Sequence, residues 1–165
     1  ALTGNAIGMI YHKRNIRINK IEKIGQYLIR VVVGSYIIAV IVSAVMIIRM
    51  DRITYCSIAY GVTIKEVNID FISDTAAKRS YDYNGSLTDF KENPISSLEK
   101  IKIKAVCAVS LFPIWQEYYH NPWVMDGDIY MIRRGYESGE SVFYGSNAYP
   151  LTYWPVYRVI HDAIE

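Results

Sequence analysis

VVVGSYIIAVIVSAVMII, residues Val31–Ile48, decides how this chain is read: eighteen residues without a charge or a proline. An α-helix rises about 1.5 Å per residue, so the run spans roughly 27 Å, close to the ~30 Å hydrocarbon core of a bilayer. A helix buried in a soluble core usually carries a polar stripe, whereas this one is apolar all round, which predicts a transmembrane helix. Arg30 and Arg49 bracket the run. Their stems can lie along hydrocarbon while the guanidinium groups reach the headgroups. A cleaved secretory signal is disfavoured, because thirty residues precede the run and no convincing small-x-small site follows it.

The flanks predict an orientation. Lys13, Arg14, Arg17, Lys20, Lys23 and Arg30 lie before the span, and only Arg49 and Arg52 lie close after it. Positive residues stay inside, so the amino terminus is expected in the cytoplasm or mitochondrial matrix and the rest in the periplasm or intermembrane space. The flanks alone also leave a secretory lumen open on the far side; a bacterial or mitochondrial inner membrane is the expected location. Residues 1–50 carry seven Lys/Arg against one acid, and residues 51–165 carry eleven against fifteen. A basic excess confined to the span's flank predicts contact with anionic headgroups on the N-terminal side, and an acidic remainder argues against a nucleic-acid partner.

Within the span, Ser35, Ala39 and Ser43 recur every fourth residue, with Gly34 beside them. Small residues at that spacing let two helix backbones approach closely, so this ridge is the expected packing face for other integral membrane subunits. Upstream, Ile18, Ile21, Ile24 and Leu28 fall at helical spacing, which predicts an amphipathic juxtamembrane helix. Residues 1–12 show no strong period and are expected to be loosely ordered. The division is a basic tail over 1–30, a transmembrane helix over 31–48, and a small α+β, partly irregular extramembrane domain over 49–165.

In that domain, Ile53 to Phe71 is rich in β-branched and aromatic residues and broken by Gly61, which predicts two strands. Ser73 to Tyr83 reads as a short helix capped by Ser73 or Asp74, and Asn84-Gly85-Ser86 as a turn that is also a glycosylation triplet. From Glu99 to Leu111 two readings compete. Ser96 and Glu99 form a capping-box pattern, but Ile101, Ile103, Ala105, Cys107, Val109 and Leu111 alternate with Lys100, Lys102 and Lys104, which favours a strand. Asp128–Gly135 and Ser141–Gly145 predict a hairpin with Gly139 at a positive φ. Tyr149 to Pro155 is expected to be extended, with one or two helical turns over Val156–Ile164.

Chemistry-bearing constellations are sparse. Asp126-Gly-Asp128 is half of a cation loop without its remaining ligands, and His120 and His161 have no second ligand at helical spacing. Ser138 stands one position off the nucleophile-elbow pattern, and Cys56 and Cys107 are expected to be free buried thiols. The expectation is no enzyme, no metal and no cofactor, with a membrane-anchored enzyme as the remote alternative. All three tryptophans and twelve of the fifteen tyrosines follow Asp51. Trp115, Tyr118, Tyr119, Trp123, Tyr153 and Trp154 are the expected partner contacts, since such rings give large contact area with a polar handle.

The run Trp115 to Trp123, WQEYYHNPW, resembles the tyrosine- and proline-rich tails of respiratory accessory subunits. The resemblance implies a non-catalytic scaffold subunit of an energy-transducing complex that holds neighbours together. The alternative is a bitopic assembly component of a bacterial secretion or conjugation channel. A folded domain with its own core would favour the latter, and chain draped over other subunits the former.

Overall fold

The computed structural model describes residues 2–123 and 128–165, with side chains from Ile21 onward. One long apolar helix, α1 (Leu2–Ile48), precedes a small α+β domain built on a seven-stranded sheet. The helix reaches back to Leu2, so the stretch expected to be loosely ordered is helical. Contacts divide the chain into two units, 1–39 and 40–165, so the last turns of α1 belong to the second.

The first hairpin joins β1 (Met50–Ala59) to β2 (Val62–Asp70). Its two loop residues, Tyr60 and Gly61, have φ of 53° and 79°, the conformation that matches a tight hairpin to strand twist. The expected helix over Ser73–Tyr83 is instead strand β3 (Thr75–Tyr81). The residues offered as its caps are spent on the β2–β3 turn: Ile72 N and Ser73 N donate to Asp70 Oδ1 at 2.9 and 3.0 Å, and Asp74 takes φ 60°. The Asn84-Gly85 turn forms as expected, with Asn84 N and Ser86 N donating to Asp82 Oδ1 at 2.9 and 2.8 Å. It leads into edge strand β4 (Leu87–Pro94).

Residues Ser97–Val109 form helix α2, which overturns the strand reading. Ser96 and Glu99 complete the capping box, with Ser96 N donating to Glu99 Oε2 at 2.7 Å and Glu99 N to Ser96 Oγ at 3.3 Å. Such a cap contributes about 1 kcal/mol. The alternation that suggested a strand is two interleaved stripes of four-residue period. Ile103 and Cys107 point into the core, while Ile101, Ala105 and Val109 form a separate, exposed stripe.

After a 3-10 turn at Phe112–Ile114 come short β5 (Tyr118–His120), then β6 (Ile129–Tyr136) and β7 (Gly139–Ser146), the predicted hairpin, with Gly139 at φ 137°. The chain closes on α3 (Tyr153–Asp162). This helix starts earlier than expected: Pro155 sits in the first turn, where an amide proton has no intrahelical acceptor and proline costs little. The strand order is β4-β3-β2-β1-β6-β7-β5, antiparallel except for β5 against β7. The core gathers Ile53, Val67, Ile69, Ile132 and Phe143 from the sheet with Ile103 of α2 and Val156 and Ile160 of α3. Buried Arg134 holds the 3-10 turn to the sheet, its guanidinium donating to the carbonyls of Phe112 and Pro113 and facing the Phe143 ring at 4.9 Å.

Candidate interaction surfaces

Helix residues Ile21–Ile48 are long and apolar enough to cross a membrane: their most apolar eighteen-residue window has a mean hydropathy of 2.8, and little of that window is buried by the chain itself. Val32, Ile37 and Ile38 are 67, 52 and 65% exposed. Among the ridge residues, a Cβ added at Gly34 meets nothing within 4 Å, and Ser35 Oγ satisfies itself on the Val31 carbonyl at 2.8 Å. Ala39 is half-buried, and Ser43 is completely buried in the second unit. The part of the ridge left open is therefore Gly34, Ser35 and Ala39. Arg30 and Arg49 are exposed at the ends of the apolar run.

The six aromatic candidates separate into inside and outside. Trp115 and Tyr153 belong to the core, Trp115 donating Nε1–H to the Ser110 carbonyl at 2.9 Å and packing edge-on against Phe112 and Phe143. A ring that supplies the hydrophobic core is not available to a partner. Tyr119 is half-buried, and its hydroxyl accepts from Gln116 N at 2.9 Å. Tyr118, Trp123 and Trp154 are exposed, Trp123 by 90%. Trp154 is the outer member of a continuous ring cluster that runs through Tyr149, Tyr153, Tyr157 and His161 to Tyr55.

Ionisable groups in this cluster are shifted by burial. Desolvation pushes the hydroxyls of Tyr55 and Tyr149 up to about 12 and holds His161 down to about 4, the latter helped by Lys65 and Lys78. Cys56 and Cys107 are free and buried, their thiols raised by burial to about 11 and about 12. Each of these shifts favours the neutral form, as removal from water dictates. Among the described residues no group of three or more His, Cys, Asp or Glu is placed to hold a metal. Asp126 and Gly127 lie outside the described residues; Asp128 accepts a hydrogen bond from Tyr149 Oη at 2.9 Å.

Sequence reasoning missed one surface. A groove of about 510 Å³ lies between the end of α1, the β2–β3 turn and α2, with an apolar wall of Ala44, Ile47, Ile48, Phe71, Ile101 and Ala105. Lys104 stretches across its edge, its ammonium 4.7 Å from the Phe71 ring centroid and donating to the Ile48 carbonyl at 3.2 Å. Lys100 stands on the same wall and pairs with Asp74 at 2.6 Å. The signal was present as the second apolar stripe of α2, hidden by the strand reading. No family model, curated protein or solved structure matches this chain.

Proposed function

We propose that this chain is a single-pass, non-catalytic assembly subunit of a multisubunit inner-membrane complex. Its basic N-terminal side lies in the cytoplasm or matrix, and its α+β domain in the periplasm or intermembrane space. The observation that carries the reading is the exposure of apolar side chains on every face of the helix over Val31–Val42. In lipid each central isoleucine or valine favours insertion by about 0.3–0.6 kcal/mol, and in water the same surface would be a severe aggregation liability. The small residues Gly34, Ser35 and Ala39 give a neighbouring helix a place to approach, and exposed Tyr118, Trp123 and Trp154 give the outer domain anchors for a partner.

Of the two kinds of complex considered, the folded domain favours the channel component. The seven-stranded sheet with its own core supports a bitopic component of a bacterial secretion or conjugation channel, whose outer module folds by itself. The exposed rings near the WQEYYHNPW run support an accessory subunit of a respiratory-type complex. Size measurement of the gently extracted native particle tests the shared claim. An assembly several times the 19.0 kDa chain is expected, and a lone monomer would remove the role. Replacing Ser35 and Ala39 together by leucine should release the chain from that particle while leaving it in the membrane; unchanged co-migration would reject the ridge as the docking face.

A further inference from the structure

The exposed stripe of α2 lies beside the end of the apolar helix. Leu98 and Ile101 are 76 and 64% exposed and continue through Ala105 to Val109, spacings of three and four that align them on one helix face. Ile48 and Ile72, 73 and 76% exposed, add further uncovered apolar side chains from the neighbouring elements. Ala44, Ile47 and Ile48 belong both to the apolar span and to the wall of the groove that Ile101 and Ala105 complete. Any lipid that surrounds the span up to Ile48 therefore touches the groove and the adjoining stripe.

We infer that this face of α2, with the groove, is a second membrane contact: it seats in the interfacial layer of an anionic bilayer on the side of the α+β domain. The charges are arranged for it. Lys100 and Lys104 stand on the groove wall, and each ammonium has three donors, of which Asp74 and the Ile48 carbonyl each engage one. The remaining donors can meet lipid phosphates while Leu98 and Ile101 enter the acyl boundary, as in helices that lie in the membrane plane. Glu99 is drawn back to Ser96 by the capping box. The inference rests on the transmembrane reading above and fixes how the domain is held against the bilayer.

The test uses the full chain in vesicles of phosphatidylcholine with phosphatidylglycerol, carrying a nitroxide on Ile101→Cys, Ile38→Cys or Tyr60→Cys in turn. The two native cysteines are buried, and the unsubstituted chain sets the labelling background. Collision with oxygen, which concentrates in lipid, is compared with collision by a water-soluble nickel chelate. Tyr60, 90% exposed in the β1–β2 turn and outside the apolar face of α2, serves as the aqueous reference. The expected oxygen-to-chelate ratio at Ile101 is several-fold above that at Tyr60, and it falls several-fold in vesicles of phosphatidylcholine alone. A ratio at Ile101 equal to that at Tyr60, with Ile38 still in lipid, overturns the inference and leaves the anchor standing. Shielding of Ile101 from both reagents assigns the face to a protein partner and also overturns it. An unchanged ratio without phosphatidylglycerol overturns the headgroup role of the lysines, and an aqueous value at Ile38 removes the anchor and the inference together.

Discussion

Val32, Ile37 and Ile38 of α1 stand half to two-thirds exposed, whereas Ile53, Val67, Ile69 and Ile132 of the sheet are sealed from solvent. The residue types are the same and their surroundings are opposite. The domain provides its own apolar phase, because seven strands and two helices enclose one core, which the last turns of α1 join through Ile47; Val31–Val42 of α1 meets no such core among the described residues. What distinguishes the two regions is therefore which phase each apolar surface meets, and charge, volume and protonation probe that difference separately.

The largest expected effect follows charge placed in the helix. Ile37→Asp combined with Ile41→Asp should cost about 3 kcal/mol per site at the centre of a bilayer, enough to abolish stable insertion. Alkaline extraction of membranes should then move the chain from pellet to supernatant, and retention in the pellet would break the comparison by showing that the helix is housed in protein. In the sheet the corresponding probe is volume. Tyr130 lies directly opposite Gly145, and a Cβ at Gly145 would stand 2.0 Å from the Tyr130 ring, which is fully buried and has no free direction to move. Gly145→Ala should therefore destabilise the domain by about 3 kcal/mol, read as a lower urea midpoint at unchanged slope by tryptophan fluorescence.

The smallest effect is a proton's. Burial, with Lys65 and Lys78 nearby and Asp162 opposing them, holds His161 at about 4, against an ordinary value of 6.5, where it packs on Tyr55 and Tyr157. Its folded pKa is depressed, so its unfolded form takes up the proton first. Stability is full above about pH 6.5 and declines as pH falls towards about 4, by roughly 2–3 kcal/mol, then levels off. Denaturation of the unsubstituted chain and of His161→Gln across that window should show the slope flattened in the variant; parallel curves would show that His161 is not the group responsible.

Much of this architecture was legible wherever a few adjacent residues settle the outcome. Gly61, Asn84-Gly85 and Gly139 each announce a turn because the backbone conformation there is a local matter of sterics. The reading failed at α2 because Ile101-x-Ile103-x-Ala105-x-Cys107 satisfies both periods, and only the packing of Ile103 and Cys107 against the sheet separates them. It failed again over Thr75–Tyr81, where the residues offered as caps serve the preceding turn and pairing with β2 sets the conformation. The aromatic surface was legible in number and not in place: Trp115 and Trp123 look alike in sequence, yet one fills the core and the other projects outward.

By itself the sequence determined the apolar helix, its charged flanks and the turns, since each depends on composition and geometry within a few residues. Tertiary structure alone decided which face of α2 is inside, which aromatic rings remain available and that Ser43 is spent on the chain's own domain. Those outcomes depend on contacts between residues distant along the chain, and no local pattern carries that information.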